Sequence, residues 1–245
     1  MKKIRLDEKL REMGMNEEKI LPMVMAGEIW VGTQKASSRA QMIDPDVEVI
    51  VRSNTPKYVS RGGFKLEAAI DKFGVNVEGK ICADFGSSTG GFVDVLLQNG
   101  ARKVYAIETG KNLLDMKIKN NPKVISMEDE SLFHYEISDM PWTKNEEKID
   151  LVTIDLSFIP LSHALNQIRD LTLCHEIIAL IKPHYEAQDE SLLRKGVVKD
   201  NETREIILSN LKTWLLENNF TIKEIIESPI HGGGGNVEYL AWIIW

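Results

Sequence analysis

The sequence predicts an α/β protein: a doubly wound, mostly parallel seven-stranded sheet with an antiparallel last strand, preceded by a small α+β module. Three observations carry this expectation. From residue 58 onward, short apolar runs alternate with helical patterns, as in a parallel sheet covered on both faces. The first of these runs ends in a glycine-rich turn, Gly86-Ser87-Ser88-Thr89-Gly90-Gly91, which opens a helix. A structure-breaking stretch, Ser53-Asn54-Thr55-Pro56, separates this region from what precedes it.

In the amino-terminal part, Leu6, Leu10 and Met13 lie at helical spacing, and Gly14 is a natural stop. Asn16 can cap a second helix through Ile20, Met23 and Val24 that ends at Gly27. Two β-like segments, 28–31 and 47–51, follow as a hairpin-like sheet. The expected organisation is a module at 1–54, a linker at 55–60 and a larger domain at 61–245. Within the larger domain, strands are expected at 80–85, 103–108, 123–127, 149–154, 176–182, 220–227 and 237–244. Helical patterns fill most of the gaps, for example 206–217. Ser228-Pro229 and a glycine-rich turn between the last two strands predict an antiparallel hairpin at one edge.

Composition bounds the function. With 43% hydrophobic and 27% charged residues among 245, the chain is an ordinary globular protein. Cys82 and Cys174 give neither a disulfide framework nor zinc spacing, so buried thiols in a reducing compartment and no metal are expected. The start, Met1-Lys2-Lys3-Ile4-Arg5-Leu6-Asp7, becomes charged before a signal core can form, and no apolar run is long enough to span a bilayer. A cytoplasmic protein with no membrane partner is expected. The net charge of −7 argues mildly against nucleic acid, yet phosphate contacts need only a local basic face. Three basic runs qualify: Arg52, Lys57, Arg61, Lys65 and Lys72; Lys111, Lys117, Lys119 and Lys123; and Arg194, Lys195, Lys199 and Arg204.

The glycine-rich turn carries the chemistry. Asp84 and Phe85 close the strand before it, and Phe92 begins the helix after it. Glycines there let the backbone approach a nucleotide or nucleoside. Glu108, at the next strand end, stands where an acid clamps a ribose. The spacing suits S-adenosylmethionine at least as well as a dinucleotide, and the hairpin-ended sheet is a methyltransferase layout more than a dehydrogenase layout. Gly86-x-Ser88-x-Gly90 also spells a nucleophile elbow, His231-Gly232-Gly233-Gly234 imitates an oxyanion loop, and Asp155 with His184 or His231 would complete a hydrolase order. The elbow would then follow the domain's first strand and precede its oxyanion loop, the wrong layout for that fold. No catalytic-loop signature supports a kinase reading of Asp84-Phe85-Gly86, and no Walker lysine follows the glycines.

Six ordered motifs give the chain a resemblance along essentially its whole length. They are Tyr58-Val59-Ser60-Arg61-Gly62-Gly63-Phe64-Lys65-Leu66; Ser88-Thr89-Gly90-Gly91-Phe92 with Asp94; Asp155-Leu156-Ser157-Phe158-Ile159; Leu180-Ile181-Lys182-Pro183-His184-Tyr185-Glu186; Gly196-Val197-Val198-Lys199-Asp200; and Ser228-Pro229-Ile230 with Gly235-Asn236-Val237-Glu238-Tyr239-Leu240. The chain resembles the haemolysin-related ribosomal RNA methyltransferases, the TlyA family. That resemblance implies an S4-like RNA-binding module followed by a Rossmann-like, FtsJ-like methyltransferase domain. It further implies S-adenosylmethionine as cofactor, ribosomal RNA or a ribosomal subunit as partner, and methylation of cytidine ribose 2′-hydroxyls. The chain ends at Trp245 with its last strand, where longer relatives carry an extension, and this leans toward large-subunit RNA.

Matched motif by motif, the Lys-Asp-Lys-Glu tetrad of the related heat-shock 2′-O-methyltransferases falls on Lys65, Asp155, Lys182 and Glu238. Lys182 is expected as the base, with Lys65 orienting the ribose and favouring a neutral amine beside it. Asp155 would lie near the sulfonium, and Glu238 would orient a lysine. Cofactor contacts are expected from Asp84, Gly86, Ser87, Ser88, Thr89, Gly90, Gly91, Phe92, Glu108 and Asp155, and RNA contacts from Arg5, Arg52, Lys57, Arg61 and Lys199. The family's Asp-Val-Gly at the second strand end is Glu108-Thr109-Gly110 here, and Asp129-Glu130-Ser131-Leu132-Phe133 replaces its usual Asn and Arg after the third strand. The alternative is an RNA- or ribosome-binding protein of the same fold without efficient catalysis; a membrane-lytic haemolysin ranks below it.

Overall fold

The computed structural model describes residues 3–52, 56–129, 136–187, 189–198 and 200–245. Contacts divide the chain into two compact units, Met1–Lys57 and Tyr58–Trp245.

The smaller unit contains β1 (Ile4–Arg5), α1 (Leu6–Glu12), α2 (Glu17–Met25), β2 (Ile29–Val31), β3 (Gln34–Lys35), β4 (Met42–Ile43) and β5 (Val49–Val51). Asn16 caps α2, its side chain accepting from the Glu18 amide at 3.0 Å. Leu6, Leu10, Ile20, Val24, Ile29, Ile43 and Val49 form the core. Met13, expected on the buried stripe, instead ends α1 and is 52% exposed. Strand β2 is central in an antiparallel sheet with β3 and β5, and β1 pairs with β4. The two-residue strands β1, β3 and β4 are too short to show alternation, so only the β2 and β5 segments were legible.

The larger unit runs α3 (Gly63–Phe73), β6 (Ile81–Phe85), α4 (Gly91–Gln98), β7 (Lys103–Glu108), α5 (Met116–Lys119), β8 (Val124–Glu128), α6 (Pro141–Lys144), β9 (Leu151–Ile154), α7 (Leu161–Thr172), β10 (Glu176–Ile181), α8 (Pro183–Glu186), β11 (Leu193–Arg194), β12 (Val197–Val198), α9 (Asn201–Glu217), β13 (Thr221–Glu227) and β14 (Tyr239–Ile244). Seven of its strands form one sheet in the order β13-β14-β10-β9-β6-β7-β8. Neighbours from β10 to β8 pair in parallel, whereas β14 is antiparallel to both β10 and β13. The expected seven-stranded sheet with an antiparallel last strand is therefore present, with boundaries shifted by one or two residues.

Alternate side chains of each strand enter opposite layers, the period-2 rule of a pleated strand. Ile81, Ala83 and Phe85 of β6, with Ile177, Ala179 and Ile181 of β10, pack on one face against α7 and α9. Cys82, Val104, Ile178 and Leu180 pack on the other against α3 and α4. Helix α7 meets the sheet through Leu161, Ala164, Leu165, Ile168 and Leu171, one stripe at helical spacing.

The linker expected at 55–60 ends earlier in space. Tyr58 is 4% exposed in the α3 and α4 core, and the Val59 amide donates to Asp94 Oδ2 at 3.0 Å. Residues 58–60 thus belong to the larger unit, because an aromatic ring and a buried carboxylate hold them there. Ser53, Asn54 and Thr55 lie outside the described residues.

Candidate active site

Parallel strands that end together bring their following residues to one edge. Phe85 of β6 pairs with Ile107 of β7 and Ile154 of β9, so Gly86, Glu108 and Asp155 emerge side by side. Lys182 follows β10, the next strand along. Because β14 runs antiparallel, with Tyr239 opposite Ile181, its entry residue Glu238 arrives at the same edge. Lys65 reaches it from the first turn of α3.

Two ion pairs result. Lys65 Nζ donates to Glu238 Oε2 at 2.5 Å, with side chains 12% and 3% exposed. Lys182 Nζ lies 2.7 Å from Asp155 Oδ1 and donates to Ser157 Oγ at 3.0 Å. The four residues matched from the resemblance therefore stand at one strand edge as two lysine–carboxylate pairs, and the lysine that Glu238 holds is Lys65. The half-buried His184 imidazole sits among Lys65, Lys182 and Glu238; burial, the largest influence, keeps its basicity below that of an ordinary histidine, against the pull of Glu238.

A cavity of about 510 Å³ opens at this edge, lined on one side by Gly86, Ser87, Ser88, Thr89, Gly91 and Phe92, and on another by Ser60, Arg61, Gly62 and Lys65. Asp155 and the loop from Ile230 to Gly234 complete it. Gly86 has φ +85°, and a Cβ there would stand 2.5 Å from the Asp155 carbonyl oxygen. Only glycine serves at this crossing of β6 and β9. Beneath the turn, Asp84 is fully buried; its Oδ1 accepts from Thr153 Oγ1 at 2.6 Å, and its Oδ2 has no hydrogen-bond partner among the described residues. Burial, opposed by the Thr153 hydroxyl, pushes this carboxyl up to about 7. Glu108 Oε2 accepts from the Ser88 amide at 2.8 Å and its Oε1 from the Gly110 amide at 2.9 Å, which ties the second strand end to the glycine turn.

Of the cofactor residues expected from sequence, Gly86, Ser87, Ser88, Thr89, Gly91, Phe92 and Asp155 line the cavity. Gly90 turns the chain behind them at φ +93°, Asp84 lies beneath, and Glu108 braces the turn. The fit to an adenosyl cofactor rests on this cradle, which admits a ligand against bare backbone, on the orphaned Asp84 oxygen, and on two carboxylates near the turn. Glu130, Ser131, Leu132 and Phe133, expected beside the adenine, lie outside the described residues.

The basic residues fare unevenly. Arg61 lines the cavity and is exposed. Arg52 lies 4.6 Å from the Trp30 ring centroid, with Lys35 Nζ 5.9 Å from it. Arg5, expected to contact RNA, has its guanidinium engaged by both oxygens of the buried Asp7, at 2.9 and 2.7 Å. Lys57 is exposed, and Lys199 lies outside the described residues. The run from Lys111 to Lys123 is not an open basic face. Lys111 pairs with Asp129, Lys117 with Asp94 and Lys119 with Glu128, while Lys123 donates to the Ala101 carbonyl.

Sequence reasoning gave no role to Phe158. It is 84% exposed at φ +65°, next to the Asp155 strand end, with its ring centroid 5.3 Å from that of Tyr185. A bulky residue held exposed at positive φ is the signal, and it is visible only in three dimensions. The hydrolase reading loses its acid, since Asp155 is paired with Lys182.

A family model described as FtsJ-like methyltransferase matches residues 58–244. Hemolysin A of Brachyspira hyodysenteriae is 38% identical to this chain over 98% of it and 100% of its own length. The 23S rRNA (cytidine-2′-O)-methyltransferase TlyA of Campylobacter jejuni is 37% identical over 76% of this chain and 71% of its own. A solved structure from Streptococcus thermophilus, assigned as a hemolysin, is 34% identical with a TM-score of 0.73, covering 100% of this chain and 89% of its own.

Proposed function

The chain belongs to the FtsJ-like methyltransferase family, and on that premise we propose that it methylates the ribose 2′-hydroxyl of a cytidine in large-subunit ribosomal RNA. Its cofactor is S-adenosylmethionine. The observation that carries the reading is the pairing of Lys65 with Glu238 and of Lys182 with Asp155 at one strand edge, where Lys65 and Asp155 line a cavity walled by a glycine turn. The named activity of the Campylobacter relative supports ribosomal RNA, the large subunit and the 2′-oxygen.

Gly86, Ser88, Thr89, Glu108 and Asp155 would hold the cofactor, whose sulfonium supplies an electrophilic methyl group. The protein's own task is to present a weakly nucleophilic hydroxyl and dispose of its proton. Lys182, oriented by Ser157 and Asp155, would first release its own proton to solvent, and its free amine would then take the 2′-hydroxyl proton as the oxygen bonds the methyl and the sulfonium leaves as a thioether. Lys65, held by the buried Glu238, would fix the ribose from the opposite side. Phe158, beside Tyr185, offers an exposed ring on which the target base can stack.

In this reading residues 1–54 form an S4-like RNA-binding module. Trp30 with Arg52 and Lys35 supports it, since an aromatic ring flanked by cations suits bases and phosphates together. The protein would act in the cytoplasm on ribosomal RNA or an assembled subunit. Among the described residues no helix is long and apolar enough to cross a membrane.

Incubation with methyl-labelled S-adenosylmethionine and unmodified ribosomal subunits tests the proposal. Label is expected at a cytidine 2′-oxygen of the large-subunit RNA, and Lys182→Ala should remove it while cofactor binding persists. Cofactor binding without label in any ribosomal RNA would leave a ribosome-binding protein of this fold. Full turnover by Lys182→Ala would overturn the assignment of the base.

A further inference from the structure

Asn236 is 3% exposed, although Gly233, Gly234 and Gly235 before it are exposed. Its amide joins two separate chain segments. Nδ2 donates to the Gly196 carbonyl at 3.0 Å and to the Gly233 carbonyl at 3.0 Å, and Oδ1 accepts from the Val198 amide at 3.2 Å. Both donors of the side chain are thereby used. Gly196 and Val198 belong to the β11–β12 hairpin, which has only two residue pairs, Leu193 with Val198 and Arg194 with Val197. So short a ladder does not hold its own position. Packing supplies a second tie, since a Cβ on Gly234 would stand 3.2 Å from Val197 Cγ2.

The same loop touches the ion pair. The Gly232 amide donates to the Asn236 carbonyl at 2.8 Å. A Cβ on Gly232 would stand 2.0 Å from Glu238 Oε1, so the bare backbone is pressed against the carboxylate that holds Lys65. In the same hairpin, Arg194 and Lys195 directly precede Gly196 and are exposed, and the turn is tight, with Lys195 at φ +53° and Gly196 at φ +77°.

We infer that Asn236 is a positioning residue that locks the loop at 231–235 onto the β11–β12 hairpin, so that an RNA phosphate held by Arg194 and Lys195 sets the Glu238–Lys65 pair for methyl transfer. The inference rests on the 2′-O-methylation reading. It gives RNA docking a physical route into the reacting groups through the loop at 231–234, which also walls the cavity. Loss of the clamp should therefore lower kcat on bound RNA at saturating cofactor.

Asn236→Asp is the sharpest test, because it keeps volume and the acceptor for Val198 while turning both donors into acceptors that face carbonyl oxygens. The full-length variant should lose about 10²-fold in kcat on ribosomal subunits, the cost of a small misplacement of reacting groups. Because the loop also walls the cavity, kcat is read at saturating cofactor, with cofactor affinity measured alongside. The ratio of its rate to that of the wild type should rise as pH falls, since a protonated carboxyl regains one donated hydrogen bond. Gly232→Ala, which leaves Asn236 intact but displaces Glu238, should reproduce the kcat loss. Amide hydrogen exchange reads the clamp without any turnover: Asn236→Asp should speed exchange in 193–198 and 231–235 together, and Gly232→Ala should leave the hairpin protected. Wild-type exchange in Asn236→Asp would overturn the clamp, and wild-type kcat, or a loss confined to KM, would overturn its catalytic role. A wild-type protein that labels no ribosomal RNA would sink the functional reading and the catalytic half with it, while exchange would still judge the clamp.

Discussion

Replacing Glu186 with glutamine should stabilise the protein in alkaline solution and change little in acid. Glu186 ends α8, the short turn that begins directly after Lys182, and its Oε1 accepts from the Leu161 amide at 2.6 Å at the start of α7. Burial pushes this carboxyl from 4.5 up to about 7, against the pull of the Leu161 amide. Below the unfolded value both states hold the proton, and the site contributes no pH dependence. Between about 4.5 and about 7 the unfolded chain releases its proton while the folded protein keeps it, so stability falls as pH rises and levels off above about 7. A shift of about two and a half pH units corresponds to a ceiling of about 3 kcal/mol at 1.36 kcal/mol per unit. The amino terminus of the twelve-residue α7 favours the anion by up to about 1 kcal/mol, which brings the expected gain to about 2 kcal/mol. Glutamine retains the acceptor for Leu161 and cannot ionise. Its new amide faces a cavity that also contains Ser162, His163 and Asn210. Urea unfolding of both proteins at about pH 4 and about pH 8 measures the effect, because the midpoint and slope give each free energy. The variant should gain about 2 kcal/mol over the wild type at the higher pH only. An equal difference at both pH values, or a wild type favoured at the higher one, would refute a buried, proton-holding Glu186.

The buried Asp84, raised to about 7, should make cofactor affinity climb as pH rises through neutrality, since its anion suits a cationic ligand better than its acid does. Calorimetry across that range should show the climb in the wild type and a flat profile in Asp84→Asn. Phe158→Ala should leave thermal stability unchanged, because the ring is 84% exposed. It should reduce kcat/KM on ribosomal RNA by the equivalent of about 1–3 kcal/mol, the worth of one base stacked on an aromatic ring; unaltered kcat/KM would exclude the ring from substrate binding.

Sheet and glycine turn were legible because their signals are local. Strands such as Ile81–Phe85 and Glu176–Ile181 are mostly apolar, with one acid each, and α7 repeats its apolar positions at helical spacing. Asp84, Gly86 and Glu108 follow from the order of strand, turn and next strand end. The surroundings of the basic residues were not legible, for the complementary reason. Arg5, Lys111, Lys117 and Lys119 look like free cations in one dimension, yet Asp7, Asp129, Asp94 and Glu128 pair with them in the fold. A run of like charge along the chain is silent about acids that other elements bring alongside.

By itself the sequence determined the alternation of elements, the glycine-rich turn after the first strand of the larger unit and, through its ordered motifs, the family. Those features depend on neighbours within a few residues, or on residue types at set intervals, and both can be read in line. Tertiary structure alone decided which lysine meets which carboxylate. Strand β14 inserts between β10 and β13 with Tyr239 opposite Ile181, and that register carries Glu238 to Lys65 and leaves Lys182 to Asp155. It likewise decided that Asn236 bridges a glycine loop to a distant hairpin and that Phe158 stands exposed beside Tyr185. Such contacts depend on strand order, register and packing among elements far apart in the chain, and no local pattern of residues encodes them.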